Sequence, residues 1–71
     1  MNAEQLEKLA YINGEVNAAF KHMDVDVRRV KARQSGAEIV TTIEFSDGST
    51  KYFNAAHMTH KQIIAYMLAR V

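Results

Sequence analysis

Apolar residues near the start of the chain recur at a helical period. Leu6, Leu9, Ile12, Val16, Phe20 and Met23 follow one another at steps of 3, 3, 4, 4 and 3, which draws one apolar stripe. Asn2 stands where an N-cap belongs, and Gln5 at the third helical position suits a capping box. The spacing predicts a helix over residues 3–22. Asn13-Gly14 interrupts it, and Gly costs about 1 kcal/mol there relative to Ala. The stripe keeps its phase across Gly14, which favours one helix; the alternative is a break at Gly14 into two short helices.

Beyond residue 25 the period changes to two. Ala37, Ile39, Thr41, Ile43 and Phe45 fall on one side of a strand, and Glu38, Val40, Thr42 and Glu44 on the other. Asp47-Gly48 reads as a two-residue hairpin turn, which opposes Glu44 to Lys51, Ile43 to Tyr52 and Thr42 to Phe53. Ser35-Gly36 reads as a second tight turn, opposing Arg33 to Glu38 and Val30 to Thr41. Val25 and Val27 are out of phase with Val30 and Ala32, so a bulge near Arg28-Arg29, or a later strand start, is expected. Near the end, Thr59 and Gln62 form a T-x-x-Q capping box, with Met58 and Ile63 placed as a hydrophobic staple. A helix over residues 60–70 follows, with Ile63, Ile64, Met67, Leu68 and Val71 as its stripe.

The expected fold is α+β, in the order α-β-β-β-α. A three-stranded antiparallel meander carries both helices on one face. The chain has 71 residues, so 1–71 reads as a single compact domain. Hydrophobic residues make up 48% and charged residues 24%, a composition that favours folding over disorder. Such a small domain buries only about 60% of its unfolded surface. With no Cys and no visible metal cage, oligomerisation is the remaining reinforcement, and a homodimer is expected. No signal-peptide pattern and no spanning segment is read, so a cytoplasmic protein is expected and no membrane partner.

The charge pattern adds a candidate surface. Nine Lys and Arg against eight Asp and Glu give +1, which excludes a strongly basic nucleic-acid tail and an acidic nucleic-acid mimic. Within that balance, residues 25–36 hold Arg28, Arg29, Lys31 and Arg33 against Asp26, net +3. The expected registers place Arg29, Lys31 and Arg33 on the open sheet face with Val40, Thr42 and Phe53. Arg33–Glu38 and Glu44–Lys51 are the expected cross-strand ion pairs. An exposed aromatic with β-branched neighbours inside a basic frame is the composition of a protein interface. These six residues are the candidate partner-binding set, and self-association through this face is compatible with it.

A nucleic acid is the alternative partner, held by phosphate contacts and stacking. The residues for it are Arg28, Arg29, Lys31, Arg33 and Lys51, with His60 and Lys61 as a second contact. The element order is similar to that of the double-stranded RNA-binding fold, where basic residues at the start of the last helix approach phosphates. This chain departs from that pattern. Gln34-Ser35-Gly36-Ala37 joins the first two strands in place of a Gly-Pro-x-His loop, and a single Lys stands at the last helix.

Catalytic chemistry is not expected. His57 flanks a cap and His60 opens a helix, which does not make a rigid zinc chelate with His22. Glu38 and Glu44 lie about 20 Å apart along one strand. Ser35, Ser46 and Ser49 sit in turns, without a nucleophile-elbow pattern. No catalytic residue, metal, cofactor or small-molecule substrate is therefore assigned. The sequence reading is a non-catalytic protein acting by protein–protein interaction, a regulator or inhibitor. Phage-encoded proteins of this size and architecture supply the analogy.

Overall fold

The computed structural model describes residues 2–70. The chain runs α1 (Ala3–Ala10), a π-helical segment (Tyr11–Val16), α2 (Asn17–His22), β1 (Val27–Ser35), β2 (Glu38–Phe45), β3 (Thr50–Asn54) and α3 (His60–Leu68). The sheet is antiparallel in the order β1-β2-β3. The α-β-β-β-α architecture is as the sequence predicts.

The backbone stays right-handed helical at Ala10, Tyr11, Val16 and Asn17, so α1, the π segment and α2 form one N-terminal helix. The Asn2 side chain caps it by accepting from Gln5 N–H at 2.9 Å. The π segment has a physical reason. Ile12, Val16 and Phe20 are each four apart, and a step of four overshoots a 3.6-residue turn by about 40°. A wider turn absorbs that drift, and all three side chains reach the core. The stripe fails at its ends: Leu6 is 54% exposed and Met23 also lies outside, while Lys8 is buried at 7%. The Lys8 ammonium donates to Ala56 C=O at 2.8 Å, which ties α1 to the β3–α3 link. An ideal Cβ on Gly14 meets nothing within 4 Å. Gly14→Ala is therefore expected to raise stability by about 0.4–1 kcal/mol, read as a higher thermal midpoint.

Two turns set the sheet registers, and both differ from expectation. The β1–β2 turn is Gly36-Ala37, not Ser35-Gly36, so Ser35 opposes Glu38 and Arg33 opposes Val40. Gly36 has φ +60, as the first central position of a type II′ turn requires. The slip is of two residues in the pairing, so every side chain keeps its face. In the β2–β3 connection, Phe45 N–H donates to Ser49 C=O at 2.8 Å and Gly48 N–H to Phe45 C=O at 3.0 Å. The loop is thus Ser46-Asp47-Gly48, a three-residue turn with Gly48 at φ +91. Asp47 Oδ1 fixes it by accepting from Ser49 N–H at 2.8 Å and from the Ser49 hydroxyl at 2.6 Å. An odd loop moves the register by one, so Glu44 opposes Thr50, Thr42 opposes Tyr52 and Thr41 opposes Phe53. Every β3 side chain therefore changes face.

The expected bulge is present, between Val27 and Arg29. It lets Val27 and Val30 both enter the core. That core joins Ile12, Val16 and Phe20 to Val27, Val30, Ile39, Ile43, Ala55, Ile63 and Met67. In α3 the capping box of Thr59 and Gln62 forms as expected, and half-buried Met58 packs against the core that contains Ile63. Ile64 is half-buried and Leu68 is exposed, so the α3 stripe is narrower than its sequence suggests. Val71 lies outside the described residues.

Asn13 and Asn17 deal with an edge. Ala32 N–H donates to Asn13 Oδ1 at 2.9 Å, and Asn13 Nδ2 donates to Ala32 C=O at 3.0 Å. Val30 N–H donates to Asn17 Oδ1 at 2.9 Å. Three outer backbone groups of an edge strand are thereby paired by side chains of the N-terminal helix. Nothing in the hydrophobic pattern announces this role.

Candidate functional site

The sheet face away from the helices carries Arg29, Lys31 and Arg33 on β1, Val40, Thr42 and Glu44 on β2, and Thr50, Tyr52 and Asn54 on β3. Alternation from the observed registers places them together. Glu44 is its electrostatic centre. The Arg29 guanidinium reaches the Glu44 carboxylate at 3.1 Å, Lys31 Nζ at 3.2 Å and Arg28 Nη2 at 3.9 Å. The three cations stay largely exposed while the carboxylate is mostly covered. Four cations (Arg28, Arg29, Lys31, Arg33) and two carboxylates (Glu38, Glu44) leave this side at +2. Thr42 is buried and Val40 half-buried, and with Lys31 and Arg33 they floor a shallow cleft.

Neither expected ion pair forms. Glu44 takes β1 cations instead of Lys51, because the odd turn sets Thr50 opposite it. Arg33 opposes Val40 rather than Glu38, and among the described residues it makes no ion pair.

Phe53 is the main correction. It lies on the helix side, half-buried, with its ring centroid 4.2 Å from that of Tyr66. Tyr52 takes the open position and is 66% exposed. Lys51 is also on the helix side, its ammonium 5.8 Å from the Phe45 ring centroid, at a cleft shared with Asp24, Asp26, Asp47 and Arg70. Arg29, Lys31, Arg33, Val40 and Thr42 do share one face. His60 and Lys61 do not join them: His60 stacks on Tyr11 with centroids 3.9 Å apart, beside a cleft with Glu4 and Glu7. Among the described residues, no three His, Cys, Asp or Glu side chains are grouped to hold a metal ion. No described helix is long and apolar enough to cross a membrane.

Hydrogen bonds from Arg29, then from Lys31, hold the Glu44 carboxyl below the usual glutamate range. Ser49 does the same for Asp47. A carboxyl lowered in the fold stabilises it above the unfolded-state value, and that contribution is lost as pH falls through the folded-state value. Stability should therefore decline from the ordinary carboxylate range downward. Glu44→Gln should flatten part of that decline and leave the Asp47 part, as read by urea unfolding at a series of acid pH values.

Comparison with protein-family models, curated proteins and solved structures gives no match to this chain. The fold and the face define an α+β domain with a covered sheet side and a cationic open side.

Proposed function

We propose that this chain is a small non-catalytic binding protein, a regulator or inhibitor, whose open sheet face docks an acidic segment of a protein partner. The main support is the grouping of Arg28, Arg29 and Lys31 around Glu44 beside the bare Tyr52 ring. One carboxylate restrains three side chains, which reduces the ordering cost that long cations otherwise pay on binding. Arg and Tyr with an apolar floor suit the centre of an interface. Docking by main-chain pairing along β1 is not part of this proposal, because Asn13 and Asn17 block that edge at Val30 and Ala32.

The nucleic-acid alternative keeps Tyr52 as a stacking platform but lacks its second contact on the same side. Anisotropy titrations with a labelled Asp/Glu-rich peptide and with single- and double-stranded RNA and DNA, at low and physiological salt, separate the two. Peptide binding that is lost in the Arg29→Ala, Lys31→Ala, Arg33→Ala triple variant supports the proposal. Nucleic-acid binding with a steep salt dependence, or binding to neither probe, overturns it.

A further inference from the structure

We infer that β3 pairs antiparallel with β3 of a second copy, centred on Tyr52, to make one six-stranded sheet. The two edges of the sheet differ. On β1 three of the outer backbone groups, Ala32 N–H and C=O and Val30 N–H, are taken by Asn13 and Asn17. On β3 none of the described residues covers the outer groups. Ser49 C=O accepts from Phe45 N–H and Ala55 N–H donates to Ile39 C=O, so odd-numbered residues face β2. By alternation the N–H and C=O groups of Thr50, Tyr52 and Asn54 point outward, and all three residues are exposed.

The occupant follows from the strand itself. An antiparallel copy must set outward groups against outward groups, and the registers that overlap three residues or more are centred on Lys51, Tyr52 or Phe53. Centring on Lys51 opposes two ammonium groups, which is unfavourable. Centring on Phe53 pairs only Tyr52 to Asn54. Centring on Tyr52 pairs the whole strand: Thr50 meets Asn54 of the second copy, Tyr52 meets its equivalent, and Lys51 meets the Phe53 ring position. Lys51 does not guard the edge by itself, because its ammonium lies toward the Phe45 ring on the helix side. Among the described residues the β1 edge is partly blocked by Asn13 and Asn17, so pairing through β3 is expected to close as a two-fold dimer rather than propagate. A small domain without disulfides is the kind that gains from such pairing. The inference does not depend on what docks at the cationic face.

Light scattering after size exclusion, from low to high micromolar chain concentration, is the test. The expected mass is twice the 8.0 kDa of the chain at the high end. Tyr52→Pro removes the outward N–H at a position that does not bond β2, and should return the mass to one chain with an unchanged circular dichroism spectrum. Amide exchange on the unmodified protein gives a second readout: Tyr52 N–H should be protected at high concentration and lose that protection on dilution, whether or not the proline variant folds. The Arg29, Lys31 and Arg33 variants should dimerise as the parent does. A single-chain mass throughout, growth beyond two chains, or a dimer with a fast-exchanging Tyr52 N–H would each overturn the inference.

Discussion

Phe53→Ala is expected to lower stability by about 2–3 kcal/mol, below the 3–5 kcal/mol of a fully buried Phe because the ring keeps some exposure. In a domain this small that is a fall of roughly 10–20 °C in melting temperature. The ring fills the helix side of β3, packed at a tilt against Tyr66 and next to the core. Tyr52→Ala, one residue earlier, should stay within about 0.5 kcal/mol in the dilute protein, because the open face gives its ring little to lose. Urea unfolding of the two variants at low concentration checks both. Equal losses, or a larger loss at Tyr52, would mean that β3 is paired one residue differently.

The Asn13→Ala, Asn17→Ala double variant carries the second large effect. It leaves the Ala32 N–H and C=O and the Val30 N–H without their side-chain partners. The loss should be about 2–4 kcal/mol for the pair, at roughly 1–2 kcal/mol per side chain because water reaches part of this edge. The variant also gains a second exposed edge, so association should continue past the state of the parent protein. Light scattering of the two proteins at matched concentration measures it. A double variant as stable and no more associated than the parent would show that the two amides do not protect the edge.

The architecture was legible in the sequence because its signals are local and redundant. The Ile12–Val16–Phe20 stripe, the alternation from Ala37 to Phe45 and the Thr59–Gln62 box each specify an element independently. The face of β3 was not legible in the same way, because it hangs on one residue of loop length. Asp47-Gly48 suits a two-residue turn, yet it equally suits a three-residue turn with Gly at the last position, and Asp47 tips the balance by binding Ser49. The signal was present, since Asp followed two residues later by Ser is an Asx-turn pattern. The error then carried to Phe53, Tyr52, Lys51 and the partner of Glu44. By contrast, the misplaced β1–β2 turn was harmless, since a slip of two left Arg29, Lys31, Arg33, Val40 and Thr42 on one face. The roles of Asn13 and Asn17 had no apolar period to reveal them.

The amide pair also meshes like a rack with a pinion. Asn13 and Asn17, four residues apart on the helix, reach Ala32 and Val30, two residues apart on the strand, so the two pitches match. The helix is thereby indexed along the strand in whole turns. Sliding it forward by one turn would set Asn17 at Ala32 but bring Lys21 to Val30, whose N–H would then face a cation that can only donate. Sliding it back would set Asn13 at Val30 and Leu9 at Ala32, with no polar atom to mesh. Only one tooth position engages both amides, so the helix is locked lengthwise by two side chains, whatever the apolar contacts beneath it would tolerate.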